Sequence, residues 1–224
     1  MRTVAVMQPY FFPYAGYYRL FALADCFVIL DCVQFPRRGR VHRTAIPGPL
    51  GGARWLTLPL QKAPQESPIQ AMRFATDARA RLRAEYAGIG WMQAQDTPLR
   101  RDLRALLDQP PVQLVDFLEH SLRLVASALG FSPQILRSSG MQIPPQIRRQ
   151  DRILEILRRT GAERYVNSPG GRALYSHEDF AAAGVELRFL PDYAGHFAHM
   201  LPALFTRDIA EIRQDILDGA QLMR

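Results

Sequence analysis

Lysine is almost missing from this chain. Lys62 stands alone among 28 basic residues, so the rest of the positive charge is arginine. Cysteine is nearly as scarce. Cys26 and Cys32 lie within or beside an apolar segment and lack C-x-x-C spacing, which excludes a disulfide framework and a thiolate zinc site. Unpaired thiols in a reducing compartment are expected. No stretch approaches the roughly 20 apolar residues that cross a bilayer. The start, Met1-Arg2-Thr3-Val4, runs straight into a strand pattern, without the apolar core and cleavage site of a signal peptide. The expectation is a cytoplasmic protein with no transmembrane segment. There is also no Walker lysine, no GxSxG elbow, and no RNP-type, KH or zinc-finger signature.

What the chain does carry suits a folded α/β protein. Its 224 residues are 48% hydrophobic and 22% charged, enough for one large domain and unlike a disordered chain. The net charge of +7 rests on arginine, whose planar fork fits phosphate and carboxylate. An anionic small-molecule substrate or donor is therefore the expected partner, with RNA as a second. An arginine bias also arises from base composition, so charge alone names no ligand.

The most informative segment is Gln8-Pro9-Tyr10-Phe11-Phe12-Pro13-Tyr14-Ala15-Gly16-Tyr17-Tyr18. It follows an apolar strand pattern at 3–7 and precedes a helical one at 17–24. Prolines and glycine fix its backbone, and Gln8 and the tyrosines put polar tips on it. A strand, a rigid loop and then a helix is how open α/β sheets build sites at their carboxyl edge. Gln8 and Tyr10 are candidate substrate-binding residues, and Tyr14 and Tyr17 candidate catalytic ones. Tyr14-Ala15-Gly16-Tyr17 also parallels the HxGH element of nucleotidylyltransferases in position. Tyrosine, neutral at pH 7, cannot supply the charge of those histidines.

Cys26-Phe27-Val28-Ile29-Leu30 is a continuous apolar run ending in Asp31, as in a strand buried on both faces of a parallel sheet. A carboxylate at that end is a candidate catalytic or substrate-holding group. Gln34 and Arg43 follow as candidate binding residues within a Gly/Pro/Arg-rich excursion over 32–52. Residues 55–60 alternate like a strand. Helical patterns over 77–87, 99–107 and 112–129 form a block, 77–130, predicted as an insertion or subdomain within a single α/β domain. The α/β pattern then resumes: a possible strand at 134–137, helix 149–159 stopped by Gly161, strand 164–166, a cap at Ser176, strand 185–190 and helix 207–217. The fold class is α/β, a Rossmann-like, mostly parallel sheet with flanking helices.

Asn167-Ser168-Pro169-Gly170-Gly171 could present backbone amides to an anion, or make a tight turn. Asn167, Gly170, Gly171 and Tyr175 complete the binding candidates. His196 and His199 have the i, i+3 spacing of one helical face, but a zinc site needs further ligands, so no metal is assigned. No cofactor is identified; a nucleotide or an activated acyl donor stays open.

Three segments together resemble the WbqC-like protein family: residues 8–17, Asp25 to Phe35, and Tyr165-Val166-Asn167-Ser168-Pro169-Gly170-Gly171 with Leu174-Tyr175. The pattern departs after Phe35, where Pro36-Arg37-Arg38 and His42-Arg43 replace a lysine and a later Asn-Arg pair. The resemblance implies a bacterial protein of surface polysaccharide (O-antigen) or specialised-metabolite assembly. The activity it implies is transfer of a small acyl or aminoacyl group to an amino sugar. Alternatives are a protein drawing an aminoacyl group from tRNA, motivated by arginines at 79–83 and 100–104, and a non-catalytic scaffold.

Overall fold

The computed structural model describes residues 1–48 and 51–222. At its centre is a five-stranded, all-parallel sheet built from β1 (Thr3–Met7), β2 (Cys26–Ile29), β5 (Gln134–Arg137), β6 (Arg164–Asn167) and β7 (Glu186–Phe189), ordered β5-β2-β1-β6-β7. The α/β, Rossmann-like class predicted from the sequence is the observed one.

Both faces of the sheet are covered, which explains why β1 and β2 read as unbroken apolar runs. Ala5, Phe27, Ile29 and Val166 join one core, and Val4, Val6, Cys26, Val28 and Tyr165 the other. The first core is closed by α1 (Arg19–Leu23), α4 (Leu114–Ala128), α7 (Met200–Thr206) and α8 (Ile209–Asp218). Helix α4 turns Phe117, Leu118, Leu122 and Val125 inward, all fully buried, the spacing of a helix with one apolar stripe. Helices α2 (Ala78–Ala87) and α3 (Pro98–Asp108) bury Leu82, Leu103 and Leu107 in that same core. The second core is closed by α5 (Arg149–Thr160) through Ile153, Ile156 and Leu157, and by α6 (His177–Ala182) through Phe180. Phe21 stacks on Phe27 with ring centroids 4.1 Å apart. Burying one such ring contributes roughly 2–3 kcal/mol.

Three local expectations change. The predicted helix 17–24 opens two residues early, as a 3-10 turn over Ala15–Tyr18 that leads into α1. The excursion 32–52 contains a strand, β3 (Arg43–Pro47), paired antiparallel with β4 (Ala53–Thr57) as a separate hairpin. Only alternate residues such as Thr44, Ile46 and Leu56 face the protein, and Arg43 and Pro47 at the two ends of β3 hid the pattern. Helix α7 lies where no element was predicted, and it contains Pro202. The proline falls in the first turn, where no backbone donor is needed.

Candidate functional site

Strand order reverses between β1 and β6: β2 and β5 lie on one side of β1, and β6 and β7 on the other. The crevice beyond the carboxyl ends of strands at such a switch point is where open α/β sheets hold ligands. Here β1 delivers Gln8, β6 delivers Asn167, and β2 delivers Asp31 to the same edge.

The aromatic loop that follows β1 is held from several sides. Tyr17 is buried and donates its hydroxyl to the Gln8 carbonyl at 2.8 Å. Burial pushes its hydroxyl pKa well above the usual tyrosine value, and its ring packs on Tyr10 at 5.4 Å. It staples the loop. Phe12, 1% exposed, has φ of +42°. A bulky residue there is strained, at a cost of roughly 1–2 kcal/mol. The strain is locked by Thr44 Oγ1, which donates to the Phe12 carbonyl at 3.0 Å, while Phe11 N donates to the Arg40 carbonyl at 2.9 Å.

This bracing leaves polar tips at the mouth. Gln8 is half-buried, and its side-chain amide has no partner among the described residues. Tyr10 is half-buried; burial raises its hydroxyl pKa, and the Arg40 charge opposes that shift. Tyr14 packs its ring on Tyr193 at 5.4 Å, and its hydroxyl interacts with the Arg19 guanidinium. A Cβ on Gly16 would overlap Tyr14 Cε2 and come within 2.6 Å of Tyr193 Cγ, so only glycine fits between them.

Across the switch point, Asn167 is 4% exposed and accepts from Ser168 N at 2.7 Å. Gly171 N donates to the Ser168 carbonyl at 3.1 Å, so the second glycine closes a tight turn. Its lack of a side chain has a steric reason: a Cβ would overlap Asn167 Nδ2 and press on Tyr175 Cε2 at 3.2 Å. Gly170 is exposed beside it. Tyr175 meets Phe180 edge-on at 5.6 Å, and burial raises its hydroxyl pKa, with the neighbouring Tyr165 and Asn167 opposing. Gly171→Ala is expected to cost about 2 kcal/mol by overpacking. Its melting temperature should then fall about 4–8 °C in a calorimetric scan; an unchanged value would show that Asn167 moves aside freely.

Asp31 is fully buried and faces β5, away from Gln8. Oδ1 accepts from Ser138 Oγ and Ser139 N, both at 2.9 Å, and Oδ2 accepts from Ser139 Oγ at 2.7 Å. Gln34 is exposed, its amide donating to the Gln65 carbonyl at 3.0 Å. Arg43 opens β3, with its guanidinium 4.4 Å over the Trp55 ring and a hydrogen bond to the Arg38 carbonyl. The structure thus places Gln8, Tyr10, Tyr14, Asn167, Gly171 and Tyr175 along the β1–β6 edge, and Arg43 on the neighbouring hairpin. Gln34 and the Asp31 carboxylate point elsewhere.

His196 and His199 do not share a helical face. His196 is exposed on the loop after β7, and its backbone N donates to Asp215 at 2.8 Å. His199 caps α7, with Nδ1 3.0 Å from the Ala45 carbonyl. Arg19 was missed by sequence reading because it looks like a surface position on a short helix. It is 1% exposed and donates to the carbonyls of Gly16, Pro191 and Gly219 at 2.9–3.0 Å. Cavities also exist away from this edge, one of about 470 Å³ lined by Leu99, Ala128, Leu204 and Ile212.

The chain is similar to the uncharacterized protein Rv1507c of Mycobacterium tuberculosis, 23% identical over 210 residues that cover 88% of this chain and 84% of that protein. No solved structure matches it. No helix among the described residues is long and apolar enough to cross a membrane. The WbqC-like protein family matches residues 8–201, a span that holds the aromatic loop, both sides of the β1–β6 edge and the arginine-bearing hairpin, and the chain belongs to that family.

Proposed function

We propose that the protein transfers a small acyl or aminoacyl group to a hydroxyl or amine of a sugar-like metabolite, as a step in bacterial surface polysaccharide assembly. The observation that carries this reading is the unpartnered Gln8 amide at the switch point, on the loop that also bears the half-buried Tyr10 and Tyr14. Neutral hydrogen-bonding tips on apolar ring bodies suit a neutral, hydroxyl-rich ligand: each tip replaces a water and each ring covers apolar C–H surface. In the transfer, the acceptor nitrogen or oxygen forms a bond to the donor's acyl carbon. The bond from that carbon to the donor's leaving atom breaks, and the acceptor's proton departs to the leaving group. Gln8 and Tyr10 orient the acceptor. Tyr14, beside the Arg19 cation, is the group placed to stabilise charge on the transferring carbonyl. Asp31 acts at one remove, by positioning the end of β2.

A small acceptor is favoured over RNA because several of the helical arginines are already engaged. Arg83 meets Asp108 at 3.0 Å, Arg81 lies 3.8 Å from Asp77, and Arg104 pairs with Asp96.

A thermal-shift panel of free amino sugars tests the reading. A sugar at ten times its dissociation constant stabilises the native state by about 1.4 kcal/mol. That should raise the melting temperature by about 3–5 °C. Gln8→Ala should abolish this shift while the unliganded protein melts within about 2 °C of the parent. A shift that survives Gln8→Ala would remove Gln8 from the site.

A further inference from the structure

Among the described residues ten arginines pair with a carboxylate, Arg54, Arg83, Arg137, Arg158 and Arg164 among them at 3.0 Å or closer. One segment gathers four arginines that do not. Arg37, Arg38, Arg40 and Arg43 fall within seven residues, and no carboxylate lies within ion-pair distance of any of them among the described residues. Arg38 and Arg40 are exposed, and their guanidinium groups make no hydrogen bond within the described residues. The Nε of Arg43 and the Nδ1 of His42 are buried without any partner. Beside them stands Trp55 on β4, 45% exposed, with Arg43 4.4 Å and Arg40 5.7 Å from its ring. Among the described residues it is one of four exposed large hydrophobic side chains, and the only aromatic one. The patch adjoins the switch-point site, because the Arg40 carbonyl holds Phe11 N and the Phe12 carbonyl holds Thr44.

We propose that this loop and Trp55 form a binding site for a nucleoside diphosphate group, with the diphosphate on Arg38, Arg40 and Arg43 and the base against Trp55. Guanidinium forks clustered on one loop without counter-charge suit a dense anion. An exposed aromatic ring offers a stacking platform for any base. The positive charge is confined to one loop and one hairpin, which fits a mononucleotide better than a polynucleotide tracking a long basic groove. The proposal deepens the transfer reading and rests on it for its purpose. A nucleoside diphosphate is the handle shared by a sugar nucleotide and by coenzyme A, so it would bring one substrate to the edge where Gln8 waits.

Calorimetric titration of the intact chain with UDP, with coenzyme A and with inorganic pyrophosphate tests it. UDP or coenzyme A should bind with a dissociation constant of about 10–100 µM at low salt, and whichever binds more tightly identifies the source. Arg40→Ala and Arg38→Ala, both at exposed positions, should each weaken binding about tenfold without moving the melting temperature. Trp55→Leu should bring the nucleotide down to the affinity of pyrophosphate. No saturable binding by about 1 mM, or unchanged affinity in both arginine variants, overturns the site, as does tighter binding of a uridine 12-mer that displaces UDP. Gln8→Ala should leave UDP affinity intact. Amino-sugar binding lost with nucleotide binding kept would therefore sink the transfer reading alone, and the reverse would sink this site alone.

Discussion

Replacing Asp31 with alanine is expected to lower stability by about 3 kcal/mol, because Ser138 Oγ, Ser139 N and Ser139 Oγ all lose the acceptor they share. For a chain of this size that corresponds to a melting temperature about 6–12 °C lower. The arrangement ties the end of β2 to the turn after β5 at a fully buried point. Water cannot step in for the lost oxygens, so the loss exceeds that of an exposed pair. Asp31→Asn separates positioning from catalysis. Its carbonyl can still accept from Ser138 and Ser139 N, and its amide can donate to Ser139 Oγ, which turns to accept. The asparagine variant should lose only about 1 kcal/mol and keep most of the transfer rate of the parent. A variant that melts like the parent yet turns over a thousandfold more slowly would make Asp31 a catalytic base and refute its positioning role.

That contrast shows which parts of the site can be read from residues alone. Periodicity and strand-end chemistry located the carboxyl edge. Val4 to Val6 and Cys26 to Ile29 are apolar without a break because each residue faces one of two cores, and that pattern reports a parallel sheet before any coordinates exist. Orientation is another matter. Asp31 and Gln8 both follow strands that end at one edge, yet one side chain turns to β5 and the other stays unpartnered. Nothing local to either residue sets that difference; the serines that capture Asp31 lie more than a hundred positions away. The hairpin strand β3 was hidden for a related reason. Its outward positions carry Arg43, Ala45 and Pro47, and only Thr44 and Ile46 turn inward, too few to mark the alternation of a strand.

Arg19 is the residue sequence reading had least reason to notice, and its loss should be as severe. Arg19→Met keeps the length and apolar stem of the side chain but leaves the carbonyls of Gly16, Pro191 and Gly219 without donors. Two effects oppose each other. Removing a buried cation returns its desolvation cost, and burial already lowers the pKa of this guanidinium, with Tyr14 opposing. Against that, three hydrogen bonds from a charged group disappear, each worth roughly 1.5–3 kcal/mol. The bonds should win, with a net loss of about 3 kcal/mol, because lysine or methionine cannot span three carbonyls and arginine's fork can. The effect should also be local. Arg19 lies 5.5 Å from the Tyr193 ring, Tyr193 hydrogen-bonds Asp215 and receives Phe197 N at 3.0 Å, and the Phe197 carbonyl holds Ala15 N at 3.0 Å. Releasing Arg19 therefore frees the loop after β7 from the aromatic loop after β1. Hydrogen exchange should report faster exchange at the amides of Ala15 and Phe197, while those of β1 and β2 keep their protection. Uniform loss of protection across the sheet would mean that Arg19 holds the whole fold rather than the wall of the site. Unchanged exchange at both amides would show that the tyrosine pair around Gly16 holds the two loops together without it.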